Sequence, residues 1–284
     1  MILVTGAAGK TGRAVTAALA KRGAAVRAFV HRAEAVASLQ ALGATEVVIG
    51  DLRRYIDLQR AGQGSTAIYH ICPNMQPDEV EIAEQVIAAA QGAGVTRFVY
   101  HSVLHPQTQA MPHHWQKLRV EELLFTTDLD YTILQPAAYM QNVLAGRERI
   151  LAEGVYRVPY ATTTRLGMVD LADVAEVAAL VLTTPGHSGA TYELAGGEWL
   201  TQVEVASILS AVWGLPVRAE RQPCAAWEEF VRSAGLSDYA IATLRSMFDY
   251  YERYGFCGNP HVLRWLLNRP PTSFAECMKR TITE

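Results

Sequence analysis

The sequence predicts an α/β fold, a doubly wound parallel sheet carrying a smaller, mostly helical C-terminal subdomain. Three observations predict it. A short apolar run, Ile2, Leu3 and Val4, leads straight into TGAAGKTG; strand-like and helix-like segments alternate through the first half of the chain; and from Thr201 onward the pattern is mostly helical. Alternation of this kind implies parallel strands joined by right-handed crossovers. With 284 residues, half of them hydrophobic, the chain can bury a large core.

The first turn carries the strongest local signal. Gly6 permits a sharp bend after the strand, Gly9 lets main-chain N–H groups approach a pyrophosphate, and Gly12 lets the following helix pack closely. The helix then directs its positive end at the phosphates. The spacing is GxxGxxG rather than GxGxxG, and glycine-rich turns also arise wherever backbone must bend. The surrounding order strengthens the nucleotide reading: an Ala-rich helix over 13–21, a stop at Gly23 and a second strand over 24–30. Thr5, Gly6, Ala8, Gly9, Lys10, Thr11 and Gly12 are therefore candidate dinucleotide contacts.

Further strands are expected over 46–49, 67–71, 97–101 and 131–134, with helices over 34–42, 53–61, 77–91 and 114–125. Beyond Arg147 the alternation fades. A helix over 172–182 has Asp170 or Asp173 available as its cap, and a late strand is expected over 192–194. The domain expectation is a dinucleotide-binding domain over 1–150, with returning segments from about 165–195, and a smaller substrate-side subdomain over 151–284. The cleft of such a fold lies at the carboxyl ends of the strands.

The residues after the second strand bear on which dinucleotide is taken. A ribose 2′-hydroxyl calls for a carboxylate there and a 2′-phosphate for positive charge. The chain offers Val30, His31 and Arg32, with no carboxylate before Glu34. Arg32 can hold a phosphate bidentately, with Lys10 assisting, so NADP(H) is favoured over NAD. The alternative is an Arg32 that is simply solvated at a helix start. Asp51 and Leu52 suit an adenine contact, although Asp51 equally suits a helix cap. Ile71, Cys72 and Pro73 end the fourth strand where backbone passes the ribose.

Conventional short-chain dehydrogenases place a tyrosine four residues before a lysine, because the ammonium lowers the phenol pKa and also holds the nicotinamide ribose. None of the twelve tyrosines here has a lysine at that offset. Lys117 is instead preceded by His113 within MPHHWQKLRVEELL, a spacing that puts both on one helix face. Ser102 ends the fifth strand, where a catalytic serine ordinarily stands. His113 either supplies the proton lost with the tyrosine or packs against Trp115. Met111, Trp115, Met140 and Met168 would form an apolar substrate wall or ordinary core.

TGAAGKTG, the HR after the second strand, GDL at residues 50–52, HHWQK followed by VEELL, QPAAYMQN and the closing GNPHVLRWLLNRPPTSFAE together resemble the NmrA-like group of atypical short-chain dehydrogenases/reductases, over nearly the whole chain. The resemblance implies an NADP-binding Rossmann-like domain, a cleft over the nicotinamide and a small C-terminal domain. It implies that Lys117 hydrogen-bonds the nicotinamide ribose, and that Tyr139 and Asn142 line the nicotinamide or substrate side. The group includes quinone reductases, reductases of plant phenolics or dyes, and regulators that bind NADP without turnover. The expected function is thus hydride transfer from NADPH to a quinone-like or aromatic acceptor, or NADP(H) sensing with a regulatory protein partner. A sugar-nucleotide epimerase or dehydratase shares the glycine turn and GDL but fails on the absent tyrosine.

A net charge of −3 gives no broad basic surface for nucleic acid. No apolar run reaches membrane-spanning length and the first residues show no signal-peptide pattern, so a cytoplasmic protein is expected. Cys72, Cys224, Cys257 and Cys277 form no CxxC pair, so neither a metal site nor a disulfide framework is expected. The expected partner is a small-molecule substrate or effector, and the expected state a monomer or weak homodimer.

Overall fold

A computed structural model describes residues 1–282. The chain order is β1 (Ile2–Val4), α1 (Lys10–Lys21), β2 (Val26–Val30), α2 (Val36–Ala41), β3 (Glu46–Ile49), α3 (Tyr55–Gly62), β4 (Ala67–His70), α4 (Glu79–Gly92), β5 (Arg97–His101), α5 (Pro112–Phe125) and β6 (Asp130–Pro136). It continues through α6 (Arg147–Glu153), β7 (Val155–Val158), β8 (Arg165–Gly167), α7 (Leu171–Thr183), β9 (Ala190–Leu194), β10 (Trp199–Thr201), α8 (Gln202–Trp213) and β11 (Arg218–Arg221). Four helices close the chain: α9 (Cys224–Ser233), α10 (Asp238–Tyr254), α11 (His261–Leu267) and α12 (Phe274–Arg280).

The main sheet has the order β3-β2-β1-β4-β5-β6-β9. Its registers from β3 through β6 are all parallel, as in Ile2 opposite Val26 on one side and Ala67 on the other. This is the doubly wound α/β fold that the alternation predicts. Strand order reverses between β1 and β4, the switch point at which such sheets bind their ligands.

Two compact units are distinguished, each with its own core. The first comprises residues 1–107, 114–135 and 174–192. One sheet face there presents Leu3, Phe29, Ile68, Phe98, Tyr100 and Ile133 to apolar positions of α3, α4 and α5, among them Leu58, Ile82, Val86, Val120 and Leu124. The second comprises residues 108–113, 136–173 and 193–284. Within it Asp170 accepts from Ala172 N at 2.9 Å, the capping role expected of it, and also takes Gln141 Nε2 at 2.7 Å and the Arg280 guanidinium. Asp173 does different work. Its carboxylate receives Arg269 at 2.8 Å and the Thr272 amide and hydroxyl at 2.7 and 2.9 Å, which explains the closing NRPPTS run. Capping boxes at Thr201 and Ser273 start α8 and α12.

Several element boundaries differ from the sequence expectation for local reasons. The second strand starts at Val26 because Ala24 N closes the end of α1 on Leu19 O. The segment expected as one helix over 34–42 divides into a 3-10 turn, Ala33–Ala35, and α2. β7, β8, β10 and β11 were not expected: they are three or four residues long and pair as β11 with β7 and β10 with β8, partners too far apart for a hairpin signal.

Candidate cofactor site and its buried polar cluster

The glycine turn is built of bare backbone. Gly6 sits at φ +58, in the left-handed region, and a Cβ there would come within 2.9 Å of Ile71 O. At Gly12 a Cβ would meet Gly6 O at 2.4 Å and Ala7 Cα at 2.5 Å, so the close helix packing expected of Gly12 is present. Ala8, Gly9 and Lys10 are exposed, and Gly9 starts α1 with no capping side chain. A helix leaves its first-turn N–H groups without intrahelical acceptors, which makes this end a cradle for an anion. The residues present therefore fit a dinucleotide pyrophosphate.

Arg32 lies just beyond β2, exposed, as the residue that starts the 3-10 turn. Arg13 of α1 donates to Ser38 Oγ at 2.8 Å, tying the first helix to α2. After β3, the Asp51 carboxylate accepts from Arg53 N at 2.9 Å and the Asp51 amide donates to Asp57. Since α3 starts only at Tyr55, this is a local turn rather than a helix cap. Leu52 joins the apolar core of the first unit. Arg53 grips Asp78 and Gln76 across the loop that follows β4.

Thr5 binds the ends of β1 and β4 together. Its hydroxyl accepts from Ile71 N at 2.9 Å and lies 2.9 Å from His70 Nδ1. Ile71 is half-buried, Cys72 buried and Pro73 exposed. Burial pushes the Cys72 thiol well up, so it remains a thiol.

Lys117, on α5, is only 5% exposed. Its ammonium donates to Glu79 Oε1 at 2.5 Å and to His101 O at 3.2 Å, and lies 5.3 Å from the Tyr100 ring centre. The Tyr100 hydroxyl donates to the same Glu79 oxygen at 3.1 Å. Burial and the Glu79 charge push the Tyr100 phenol well above its ordinary range, so it is no substitute for the missing catalytic tyrosine. One helical turn on from Lys117, Glu121 accepts from the Ser102 hydroxyl and takes Gln135 Nε2 on both oxygens, at 3.0 and 2.9 Å. Burial raises the Glu121 carboxyl, while Ser102 and Gln135 oppose that shift.

Histidines complete the cluster. His101 Nδ1 lies 2.6 Å from the Tyr69 hydroxyl. His70 stacks on Tyr100, and its Nε2 is buried with no hydrogen-bond partner among the described residues. Burial, aided by the Lys117 charge, lowers His70 and His101 to about 3; burial lowers His114 to about 4. All three are therefore neutral imidazoles at neutral pH. Sequence reasoning singled out Lys117 and Ser102 but missed Glu79, Tyr100, Glu121, Gln135 and His70. Glu121 had a readable signal, its four-residue offset from Lys117; Glu79 had none.

His113, Tyr139 and Asn142 fall in the second unit. His113 is buried, Tyr139 is half-buried and bridges Val169, and Asn142 is exposed with its amide on Tyr139 O. Met111, Met140 and Met168 are buried in the same unit.

The NmrA-like family profile matches residues 1–275. The chain belongs to the NmrA-like family. It is 28% identical to the NAD(P)H azoreductase of Xenophilus azovorans over 98% of this chain and 97% of that one. The NADPH-dependent quinone oxidoreductase of Escherichia coli, solved in complex with NADPH, superposes with a TM-score of 0.86 at 28% identity, over 99% of this chain and all of that one. The Citrobacter triphenylmethane reductase complexed with NADP(H) gives 0.85 at 27% identity, over 99% of both chains. Membership fits the glycine turn and parallel sheet, and no helix among the described residues is long and apolar enough to cross a membrane.

Proposed function

We propose that the chain is an NADPH-dependent reductase that passes hydride to a quinone-like or aromatic small molecule, in the cytoplasm, as a monomer or weak dimer. The observation that carries the reading is the exposed Arg32 guanidinium at the close of β2, with no carboxylate bound to it among the described residues, in the same unit as the uncapped glycine start of α1. Full-length likeness to an azoreductase, a quinone oxidoreductase and a dye reductase supports the acceptor class. NADPH, when bound, supplies the hydride.

The chain's residues place and stabilise it. Thr5, Gly6, Ala8, Gly9, Lys10, Thr11 and Gly12 form the pyrophosphate cradle, and Arg32 with Lys10 neutralises the 2′-phosphate, which favours NADPH over NADH. Asp51 and Leu52 border the adenine, and Ile71, Cys72 and Pro73 the ribose. Lys117 holds the nicotinamide ribose, Tyr139 and Asn142 line the acceptor side, and His113 is the candidate proton donor. A quinone-like acceptor suits this set because its reduced oxygens protonate readily from water.

A second reading, an NADP(H) sensor with a regulatory protein partner, is favoured by the missing tyrosine and by the neutral state of His70, His101 and His114. Following NADPH absorbance with a panel of quinones, azo dyes and triphenylmethane dyes separates the two. Turnover that Lys117→Ala diminishes is expected of the reductase. Tight NADPH binding without oxidation across the panel would select the sensor.

A further inference from the structure

The first residue of α4 is an acid in a buried position, a costly place for a charge unless it is paired. Glu79 has a side chain only 1% exposed, and its carboxylate lies at the positive end of a fourteen-residue helix. Its Oε1 receives both the Lys117 ammonium at 2.5 Å and the Tyr100 hydroxyl at 3.1 Å. Lysine has three N–H donors. Among the described residues, Glu79 and the His101 carbonyl take two of those on Lys117. The neighbouring carboxylate, Glu121, receives Ser102 and Gln135.

We propose that Glu79 is a positioning residue: it is the counter-ion that holds the Lys117 ammonium in place and leaves the third N–H for the ribose of the nicotinamide cofactor. The proposal rests on the NADPH reading of the site. It assigns Glu79 no contact with cofactor or acceptor; its whole effect passes through Lys117. Tyr100 supports the same geometry from below, with its hydroxyl on the carboxylate and its ring beneath the ammonium.

The test is a cycle of Glu79→Gln, Lys117→Met and the double variant, with Glu79→Asp as the conservative replacement, read by NADPH titration and by KM for NADPH against KM for the acceptor. Glu79→Gln should raise the Kd for NADPH by about tenfold or more and raise KM for NADPH while leaving that of the acceptor unchanged. Glu79→Asp, which keeps the charge, should recover most of the loss. In the Lys117→Met background Glu79→Gln should change nothing further. If Glu79→Gln alone does not fold, Glu79→Ala takes its place in the cycle: a raised Kd in the Lys117 background with no further change in the Lys117→Met background supports the proposal, and any other pattern overturns it. An equal loss in both backgrounds, no loss in either, or no recovery with Asp also overturns it. A wild type that binds NADPH but reduces no acceptor would defeat the reductase reading and leave the Glu79 result standing.

Discussion

The glycine turn and the Lys117 cluster belong to the same unit and are made in opposite ways. The turn is backbone: Gly6 and Gly12 matter because a Cβ would strike Ile71 O, Gly6 O or Ala7. The cluster is side chain: α4, α5, β5 and β6 each contribute to it, through Glu79, Lys117, Tyr100 and Gln135. A site made from backbone is short in sequence and tolerant of pH, but intolerant of added atoms. One made from buried charges and imidazoles is dispersed in sequence and sensitive to protonation.

Acid should separate the two most strongly. Folded-state values for His70, His101 and His114 lie below the ordinary 6.5, so the stability they contribute is complete above that pH and is lost as pH falls toward 3 to 4. At pH 5 the loss is on the order of 2 kcal/mol for each histidine. Urea denaturation at pH 7 and pH 5 should show it, and an unchanged midpoint would refute the buried neutral assignment. Next in size is Lys117→Ala, which removes the ammonium from the buried Glu79 carboxylate and should cost about 3–5 kcal/mol at pH 7 in the same assay.

Gly12→Ala acts on the other region. Its Cβ meets backbone at 2.4 Å, so the turn must shift. A stability loss of about 1–3 kcal/mol is expected in thermal melts, accompanied by weaker NADPH binding and an unaltered acid transition. Arg32→Glu is the mildest for the fold. At an exposed position it should change stability by less than about 0.5 kcal/mol. It should nevertheless weaken NADPH roughly ten- to a hundredfold while sparing NADH, as loss of charge-assisted contacts predicts.

The contrast also explains what the sequence discloses. Gly6, Gly9 and Gly12 announce the turn because the steric demand is local, and the strand–helix alternation announces the parallel sheet for the same reason. Glu79 reads as an ordinary first-turn acid, since its burial is set by Tyr100 and Lys117, which arrive from β5 and α5. His70 likewise reads as one more strand residue until Thr5 and Tyr100 enclose it. The short β7–β11 and β8–β10 pairings were illegible because three or four residues carry no periodicity of their own.

On the proposed reading, the glycine cradle and the Arg32 guanidinium together select the phosphorylated coenzyme. Calorimetric titration of the wild-type protein with NADPH and with NADH tests it. The predicted result is saturable binding of NADPH about tenfold or more tighter than NADH. Equal affinity for the two, or no heat from either, would contradict it.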